Sequence, residues 1–112
     1  KLSIADIQQL SGKVYQISLE EMLGKSRKKK VVKARNLAIY LSRHYLQKNL
    51  KELARAFRRT HSTVLHSLDC VDRDLKISPG FRAELDYLEK RLQTSPRWRR
   101  CLQGGVNPTS SG

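Results

Sequence analysis

The chain has 112 residues and is strongly basic, with 23 Lys and Arg against 10 Asp and Glu and a formal net charge of +13. This length fits one compact domain, which buries about 65% of the surface that its unfolded chain exposes. So large a positive excess predicts a polyanionic partner: DNA, RNA or an anionic membrane surface. Two cysteines are too few for a disulfide-stabilised secreted fold. No apolar run approaches the roughly 20 residues that a membrane-spanning helix needs.

The cysteine and N-terminal patterns predict an intracellular protein. Neither Cys70 nor Cys101 belongs to a C-x-x-C motif, so a reducing environment is the default expectation. Nothing near the N-terminus resembles a signal peptide. The chain opens without Met directly into a helical pattern, and we expect it to be a piece of a longer cytoplasmic protein.

Two short helices are predicted first, each by a capping box. Ser3 is followed three residues later by Asp6, and Ser18 is followed three residues later by Glu21. In this pattern the paired side chains satisfy amide groups that the first helical turn leaves free. We expect both helices to end at the next glycine, Gly12 or Gly24. Their expected core residues are Ile4, Ile7, Leu10, Leu19, Met22 and Leu23.

Residues 25–30 are polar and basic and are predicted to form a loop. Beyond them, apolar residues return at helical spacing, which predicts a long amphipathic helix with one buried stripe. The residues of that stripe are Val31, Ala34, Leu37, Ala38, Leu41 and Tyr45.

Residues 50–57 and 62–75 have the pattern of a helix-turn-helix, in which a short helix and a longer one are joined by a tight polar turn. Their inward residues are predicted to be Leu50, Leu53, Ala54, Phe57, Val64, Leu68, Val71 and Leu75. Ala54 is small where the two helices cross closely. Arg58 occupies the turn position that Gly often holds, so the turn either avoids a left-handed residue there or accepts a small strain.

A last helix is predicted from Ser78, its cap, and Pro79, whose missing amide hydrogen costs nothing in the first turn. Its buried line is Phe81, Leu85, Leu88 and Leu92. Beyond residue 93 the pattern stops, and residues 94–112 are predicted to form a partly disordered extension, with Trp98 a candidate to fold back onto the body. We therefore predict an all-α domain over residues 1–93, a compact bundle of about six helices.

Short polar side chains are predicted on the outer face of the second helix of the helix-turn-helix, at its N-terminal end. Hydroxyls and imidazoles can reach base edges without burying an unpaired charge, and a Thr methyl can rest against a thymine methyl. The alternative is that Ser62 and Thr63 only cap this helix. The predicted base-contacting residues are His61, Ser62, Thr63, His66 and Ser67.

The segment between Lys25 and Lys51 contains ten Lys or Arg and no Asp or Glu. Such a surface can bind along the phosphate backbone of a nucleic acid. An arginine on a flexible arm can also enter an adjacent minor groove. No aromatic residue is interleaved with the densest part of the run, which argues against a single-strand or RNA reader. On charge, the predicted phosphate contacts include Lys25, Lys28, Lys30, Arg58 and Arg59.

Two separated motifs, A-R-N-L-A-I-Y-L at 34–41 and H-S-T-V-L-H at 61–66, resemble the C-terminal DNA-binding domain of the bacterial replication initiator DnaA. The resemblance covers about residues 2–92. It implies a monomeric domain that binds a short asymmetric box of double-stranded DNA, with a helix in the major groove and the basic segment in the minor groove. It also implies that ATP is bound only by an upstream domain outside this chain, so no cofactor is expected here.

By position, the resemblance makes Arg27 the minor-groove arginine and lets His61, Ser62 and Thr63 meet bases. It assigns phosphates to Lys29, Arg35, Asn36 and the backbone around Leu50 and Lys51. Two residues depart from the family pattern. Thr60 stands where the family usually has Asp, an acceptor that suits a cytosine amino group. Cys70 replaces a usual basic phosphate contact. The box that is read is therefore expected to differ.

No enzyme chemistry is predicted. His61, His66 and Cys70 are spaced by five and four residues, and we do not expect them to converge on one face as metal ligands. Neither histidine has an orienting acid nearby, and no Gly-rich nucleotide loop is present.

Three hypotheses stay open. The first is sequence-specific binding of duplex DNA, of the type that recognises replication-origin boxes. The second has the same chemistry in a different setting, as the DNA-targeting module of a transposase-associated or regulatory DnaA-like protein. The third is a basic module that binds RNA or membranes without sequence specificity. A preference for one site over random duplex, by about 10³-fold or more, separates the first two from the third.

Overall fold

The computed structural model describes residues 2–93, which fold into six helices and, within that range, no strand. The helices are α1 (Ile4–Tyr15), α2 (Leu19–Leu23), α3 (Lys29–Tyr45), α4 (Leu50–Phe57), α5 (His61–Ile77) and α6 (Pro79–Gln93). The predicted all-α class and the number of helices are confirmed. Trp98 and the rest of the predicted 94–112 extension lie outside the described residues. None of the described helices is long and apolar enough to cross a membrane.

Helix α3 forms the centre of the bundle and packs against α1, α2, α4 and α5. The predicted stripe of α3 is confirmed, since all its members are buried except the half-buried Tyr45. Ile39, outside the stripe, is also fully buried, because neighbouring helices cover α3 on more than one side. Each large side chain buried in this way stabilises the fold by about 1.5–3 kcal/mol.

Capping boxes begin α1, α2 and α4. The two predicted boxes form at Ser3 and Ser18. A third, which the sequence analysis missed, begins α4, where the Asn49 side chain accepts a hydrogen bond from the Glu52 amide at 2.8 Å. Each such cap contributes about 1 kcal/mol by satisfying amides at the helix start.

Helix α1 does not end at Gly12 as predicted, but continues to Tyr15. Gln16 follows as its C-terminal cap, with a left-handed backbone at φ 57°. The amide of Ile17 donates to the Gly12 carbonyl at 2.9 Å. A Cβ on Gly12 would lie 3.0 Å from the Ile17 carbonyl oxygen. Gly12 therefore allows the chain to turn back closely over α1 rather than stopping the helix.

Two further predictions in this region are corrected. Helix α3 begins at Lys29 rather than after residue 30, so the loop is limited to residues 25–28, and we name this segment the basic loop. Leu19, predicted to be a core residue, is 47% exposed. The short α2 has only enough surface in contact with the bundle to bury Met22 fully.

Helix α6 closes the bundle against α1 and α5. Ser78 caps it, since its Oγ accepts from the Phe81 amide at 3.2 Å, and the predicted line of four apolar residues is buried. Glu84 ties three helices together, because it accepts from the Tyr15 hydroxyl at 2.6 Å and lies 3.2 Å from the Lys33 ammonium. This tie fixes α6 over the N-terminal half of the fold.

Candidate nucleic-acid interface

The turn between α4 and α5 is tight because Arg58 adopts a left-handed conformation, with φ 55° and ψ 46°. The amide of Arg59 then donates to the Ala54 carbonyl at 2.9 Å and closes the end of α4. The sequence left open whether the turn avoids a left-handed residue at Arg58 or accepts a small strain, and the structure shows the second. Ala54 and Val64 are both buried where the two helices meet, and this packing holds α5 against α4.

Helix α5 begins at His61, one residue earlier than predicted, and its cap is Thr60 rather than Ser62. The Thr60 Oγ1 accepts from the Thr63 amide at 3.1 Å and donates to the Thr63 Oγ1 at 3.0 Å. Because Thr60 performs the capping, the Ser62 side chain is not needed for it.

Four of the five predicted base-contacting residues on α5 are exposed: His61, Ser62, Thr63 and His66. The fifth, Ser67, is only 5% exposed. Ser67 lies three residues after Val64 and four before Val71, and helical spacing places all three on the core side. Ser67 therefore presents little surface to an external ligand.

The side chain of Arg35, a predicted phosphate contact, points into the fold. It is 7% exposed, and its Nε donates to the Met22 carbonyl at 2.7 Å. Its Nη2 donates to the carbonyls of Glu21 at 3.1 Å and of Gly24 and Ser26, each at 3.3 Å. Arg35 thus holds the end of α2 and the start of the basic loop.

The α4–α5 turn contacts the basic loop through Arg59. Its Nη2 donates to the Gly24 carbonyl, the same oxygen that receives a hydrogen bond from Arg35. Burial, together with the nearby charge of Arg59, lowers the pKa of Arg35. Because the hydrogen bond from Arg59 to Gly24 joins the α4–α5 turn to the loop, the basic loop and the N-terminus of α5 lie beside each other on one side of the domain.

Five cationic side chains of the loop and of the first turn of α3 are exposed: Lys25, Arg27, Lys28, Lys29 and Lys30. The start of α3 also lacks a side-chain cap. Free amides and partial positive charge at a helix start add to the field of these cations. The result is a concentrated positive surface adjacent to the hydroxyl-bearing end of α5.

A cavity of about 360 Å³ opens between α3, α5 and α6 next to the basic loop. Arg27, Lys29 and Asn36, three of the predicted DNA contacts, line this cavity together with Asp74 of α5, and Val71 and Phe81 form apolar parts of the lining. The other predicted contacts surround α4: Lys51 and Arg58 are exposed, and Leu50 is half-buried.

His66 and Cys70 come closer than the sequence analysis expected. The Nε2 of His66 lies 3.5 Å from the Sγ of Cys70, because a spacing of four places both on one face of α5. The expectation that these positions do not converge was wrong for this pair. Over residues 2–93, no group of three or more His, Cys, Asp or Glu side chains is arranged to hold a metal ion.

Comparison with known proteins adds independent information on this arrangement. A family described as the bacterial DnaA protein helix-turn-helix matches residues 4–71. The chain is also similar to a solved structure described as a DNA replication initiation factor, with 32% sequence identity and a TM-score of 0.71. That similarity covers 79% of this chain and 27% of the other, so the chain spans about a quarter of that protein's length. The family match includes the basic loop and the N-terminal half of α5.

Proposed function

This chain belongs to the bacterial DnaA helix-turn-helix family, and from that premise we propose that it is a sequence-specific double-stranded-DNA-binding domain of the replication-initiator type. The N-terminus of α5 enters the major groove, and the basic loop enters the adjacent minor groove. One observation carries the proposal: the exposed polar end of α5 and the basic loop lie side by side, joined by the Arg59–Gly24 hydrogen bond.

The major-groove contacts are assigned to His61, Ser62 and Thr63, with His66 one turn further along. All four are exposed at the start of α5. Their hydroxyls and imidazoles offer both donors and acceptors, which suits the mixed pattern of base edges in the major groove. Because the Thr60 hydroxyl donates to the Thr63 Oγ1, the Thr63 hydroxyl proton is available to an acceptor on a base.

The charges along α5 limit how much of it lies in the groove. Its first eight residues contain no acid, whereas Asp69, Asp72 and Asp74 follow and are exposed. Carboxylates close to phosphates are repelled, so the C-terminal half of α5 is expected to point out of the groove. The helix therefore contacts DNA mainly through its first two turns.

The minor-groove contact is assigned to Arg27, the arginine of the basic loop. Narrow A·T-rich minor grooves concentrate negative potential and attract an inserted arginine. The neighbouring lysines of the loop then lie near the flanking phosphates.

Phosphate contacts are assigned to residues that are exposed or line the cavity and flank both grooves: Lys25, Lys28, Lys29, Lys30, Asn36, Lys51 and Arg58, with the backbone at Leu50. These contacts fix orientation without reading sequence. Neutralising about six to eight phosphates gives a log–log dependence of affinity on salt with a slope of roughly −5 to −7.

Selection from a random duplex pool, followed by sequencing, tests the proposal. We expect one asymmetric box to be enriched and to bind about 10³-fold or more tightly than random duplex at physiological salt. The random duplex, a single-stranded RNA and anionic vesicles serve as controls in the same buffer. Equal binding to all four ligands would contradict the proposal and leave a non-specific basic module.

The setting of this domain is also part of the proposal. The similarity to a DNA replication initiation factor over about a quarter of that protein's length supports a role as the DNA-binding part of a longer initiator-type protein at the nucleoid. A single domain is expected to occupy the asymmetric box as a monomer. The mass of the complex in solution, measured by light scattering, checks this stoichiometry.

A further inference from the structure

We propose that Arg59 is a positioning residue, which fixes the basic loop against the turn of the helix-turn-helix so that the two DNA-contacting parts keep a set spacing. This inference rests on the proposed DNA binding and gives Arg59 a different role from the phosphate contact that charge alone predicted.

Two of the five N–H donors of Arg59 are engaged by carbonyl groups of the protein. Its Nη2 donates to the Gly24 carbonyl, and its Nη1 donates to the Arg58 carbonyl at 3.3 Å. The residue is half-buried, unlike its exposed neighbour Arg58. These two bonds turn the guanidinium toward the protein, and losing them would leave carbonyl groups unsatisfied, which is costly where they are shielded from water.

The carbonyl of Gly24 is where the loop and the turn meet. Arg35 donates to it from α3, and Arg59 donates to it from the α4–α5 turn, 35 residues along the chain. Two cations close together repel each other, and hydrogen bonds from charged donors to the shared oxygen offset that repulsion. Arg35 also donates to the Ser26 carbonyl, so the link continues into the loop itself.

Both ends of the link are held by the backbone. At Gly24 a Cβ would lie 2.8 Å from the Glu20 carbonyl oxygen, so the chain passes too closely for a side chain. At the other end, the left-handed Arg58 and the bond from the Arg59 amide to the Ala54 carbonyl direct Arg59 away from α4. The basic loop is thereby fixed before DNA arrives, which lowers the ordering cost of binding.

A double-mutant cycle tests this role on the selected box. If Arg59 acts through the loop, its removal matters only while Arg27 is present. We expect Arg59→Ala to lower affinity about tenfold in the wild-type background and less than about twofold in the Arg27→Ala background. Affinity for random duplex should change less than about twofold. Arg55→Ala, which removes an exposed arginine from the same helix-turn-helix, is the charge-matched control and should show no coupling to Arg27.

An additive cycle, or an equal loss of affinity on box and random duplex, would overturn the inference and make Arg59 a phosphate contact. Gly24→Ala provides an independent variant, because its Cβ would lie 2.8 Å from the Glu20 carbonyl oxygen, so the backbone that carries the shared carbonyl has to shift. Like Arg59→Ala, it should lower affinity for the box in the wild-type background and change it little in the Arg27→Ala background. An equal loss in the two backgrounds would count against the link.

A measurement without DNA separates this inference from the proposed function. Backbone order parameters from NMR relaxation should fall for residues 25–28 in Arg59→Ala and stay unchanged in Arg55→Ala. Unchanged loop order in Arg59→Ala would overturn the inference even if DNA binding is specific. Conversely, if the wild-type protein prefers no box but Arg59→Ala lowers loop order as expected, the proposed function is contradicted while the link stays intact.

Discussion

Arginines in this protein perform different tasks at positions that look alike in the sequence. Arg27 is exposed on the basic loop, whereas Arg35, only two helical turns further along the chain, is buried and donates to four backbone carbonyls. Arg59 is intermediate, with its donors directed at two carbonyls. A guanidinium suits all these tasks because its planar donors match both carbonyl groups and phosphates. Its surroundings decide which of them it performs.

Replacing Arg27 tests the minor-groove contact. Arg27→Ala is expected to weaken binding to the selected box by about 1–3 kcal/mol, with most of the loss at an A·T-rich flank. Titrations of box DNA with an A·T or a G·C flank measure this. Lys30→Ala, an exposed cation nearby, should lower affinity for both DNAs alike. Equal loss on the two flanks for Arg27→Ala would show that it contacts only phosphate.

Thr63 and Ser67 form a matched pair for testing the reading face. Thr63→Ala is expected to cost about 1–3 kcal/mol on the selected box and little on random duplex, since an exposed hydroxyl at the helix start is lost. Ser67→Ala changes a residue of the same helix that is only 5% exposed, and it should leave the preference for the box unchanged. If Thr63→Ala keeps the full preference and Ser67→Ala does not, the reading face lies elsewhere.

At the scale of elements, the helix-turn-helix combines a favourable start and a strained turn. Thr60 caps α5 and orients Thr63, so the same residue begins the helix and prepares its contact face. Arg58 is left-handed, which costs a residue with a Cβ roughly 1–2 kcal/mol. The turn tolerates this cost because Ala54, Phe57 and Val64 are buried on either side of it.

Relieving this strain is expected to stabilise the fold. Arg58→Gly should raise the free energy of unfolding by about 0.5–1 kcal/mol, because glycine adopts the left-handed conformation freely but loses more conformational entropy on folding. Urea unfolding followed by circular dichroism measures the change. Arg55→Gly, in the last turn of α4, removes the same charge and should destabilise by about 1 kcal/mol. A destabilised Arg58→Gly variant would mean that the arginine side chain stabilises the turn.

At the scale of the whole molecule, charge is unevenly distributed along the fold. Six of the 10 Asp and Glu lie between residues 69 and 89, on α5 and α6, whereas the basic run lies between residues 25 and 51. Such a distribution gives the domain an electrostatic orientation as it approaches a polyanion. The acids also stabilise the bundle, since Glu84 joins α6 to α1 and α3.

Alkaline pH is expected to loosen the bundle. Burial, with the hydrogen bond to Glu84 and its charge as further causes, raises the pKa of Tyr15 well above its ordinary 10.0. Burial also raises the pKa of Tyr40 and of Tyr45. Above about pH 10 the folded protein therefore holds more protons than the unfolded chain, and the free energy of unfolding falls as pH rises.

Urea unfolding between about pH 8 and about pH 11 measures this fall. Tyr15→Phe should make it shallower, because the mutant has no hydroxyl to ionise at that position. A Tyr15→Phe slope equal to that of the wild type would show that Tyr15 contributes nothing to the pH dependence.

The sequence by itself determined where most helices begin and which residues of each helix face inward. Caps such as Ser3 with Asp6 and stripes such as that of α3 are local features, set by groups within a turn or two of each other. Part of the candidate site was predictable for the same reason: His61, Ser62 and Thr63 share the exposed start of one helix, whichever surface they bind.

Only the tertiary structure decided what depends on residues distant in sequence. Helix α1 passes through Gly12 because the chain returns closely over it at Ile17. Arg35 leaves the predicted surface because carbonyls from α2 and the loop surround its guanidinium. The contact between the loop and the turn joins Gly24 to Arg59 across 35 residues. Periodicity and charge counts describe one segment at a time, so they do not reveal a hydrogen bond that exists only once separate segments have packed together.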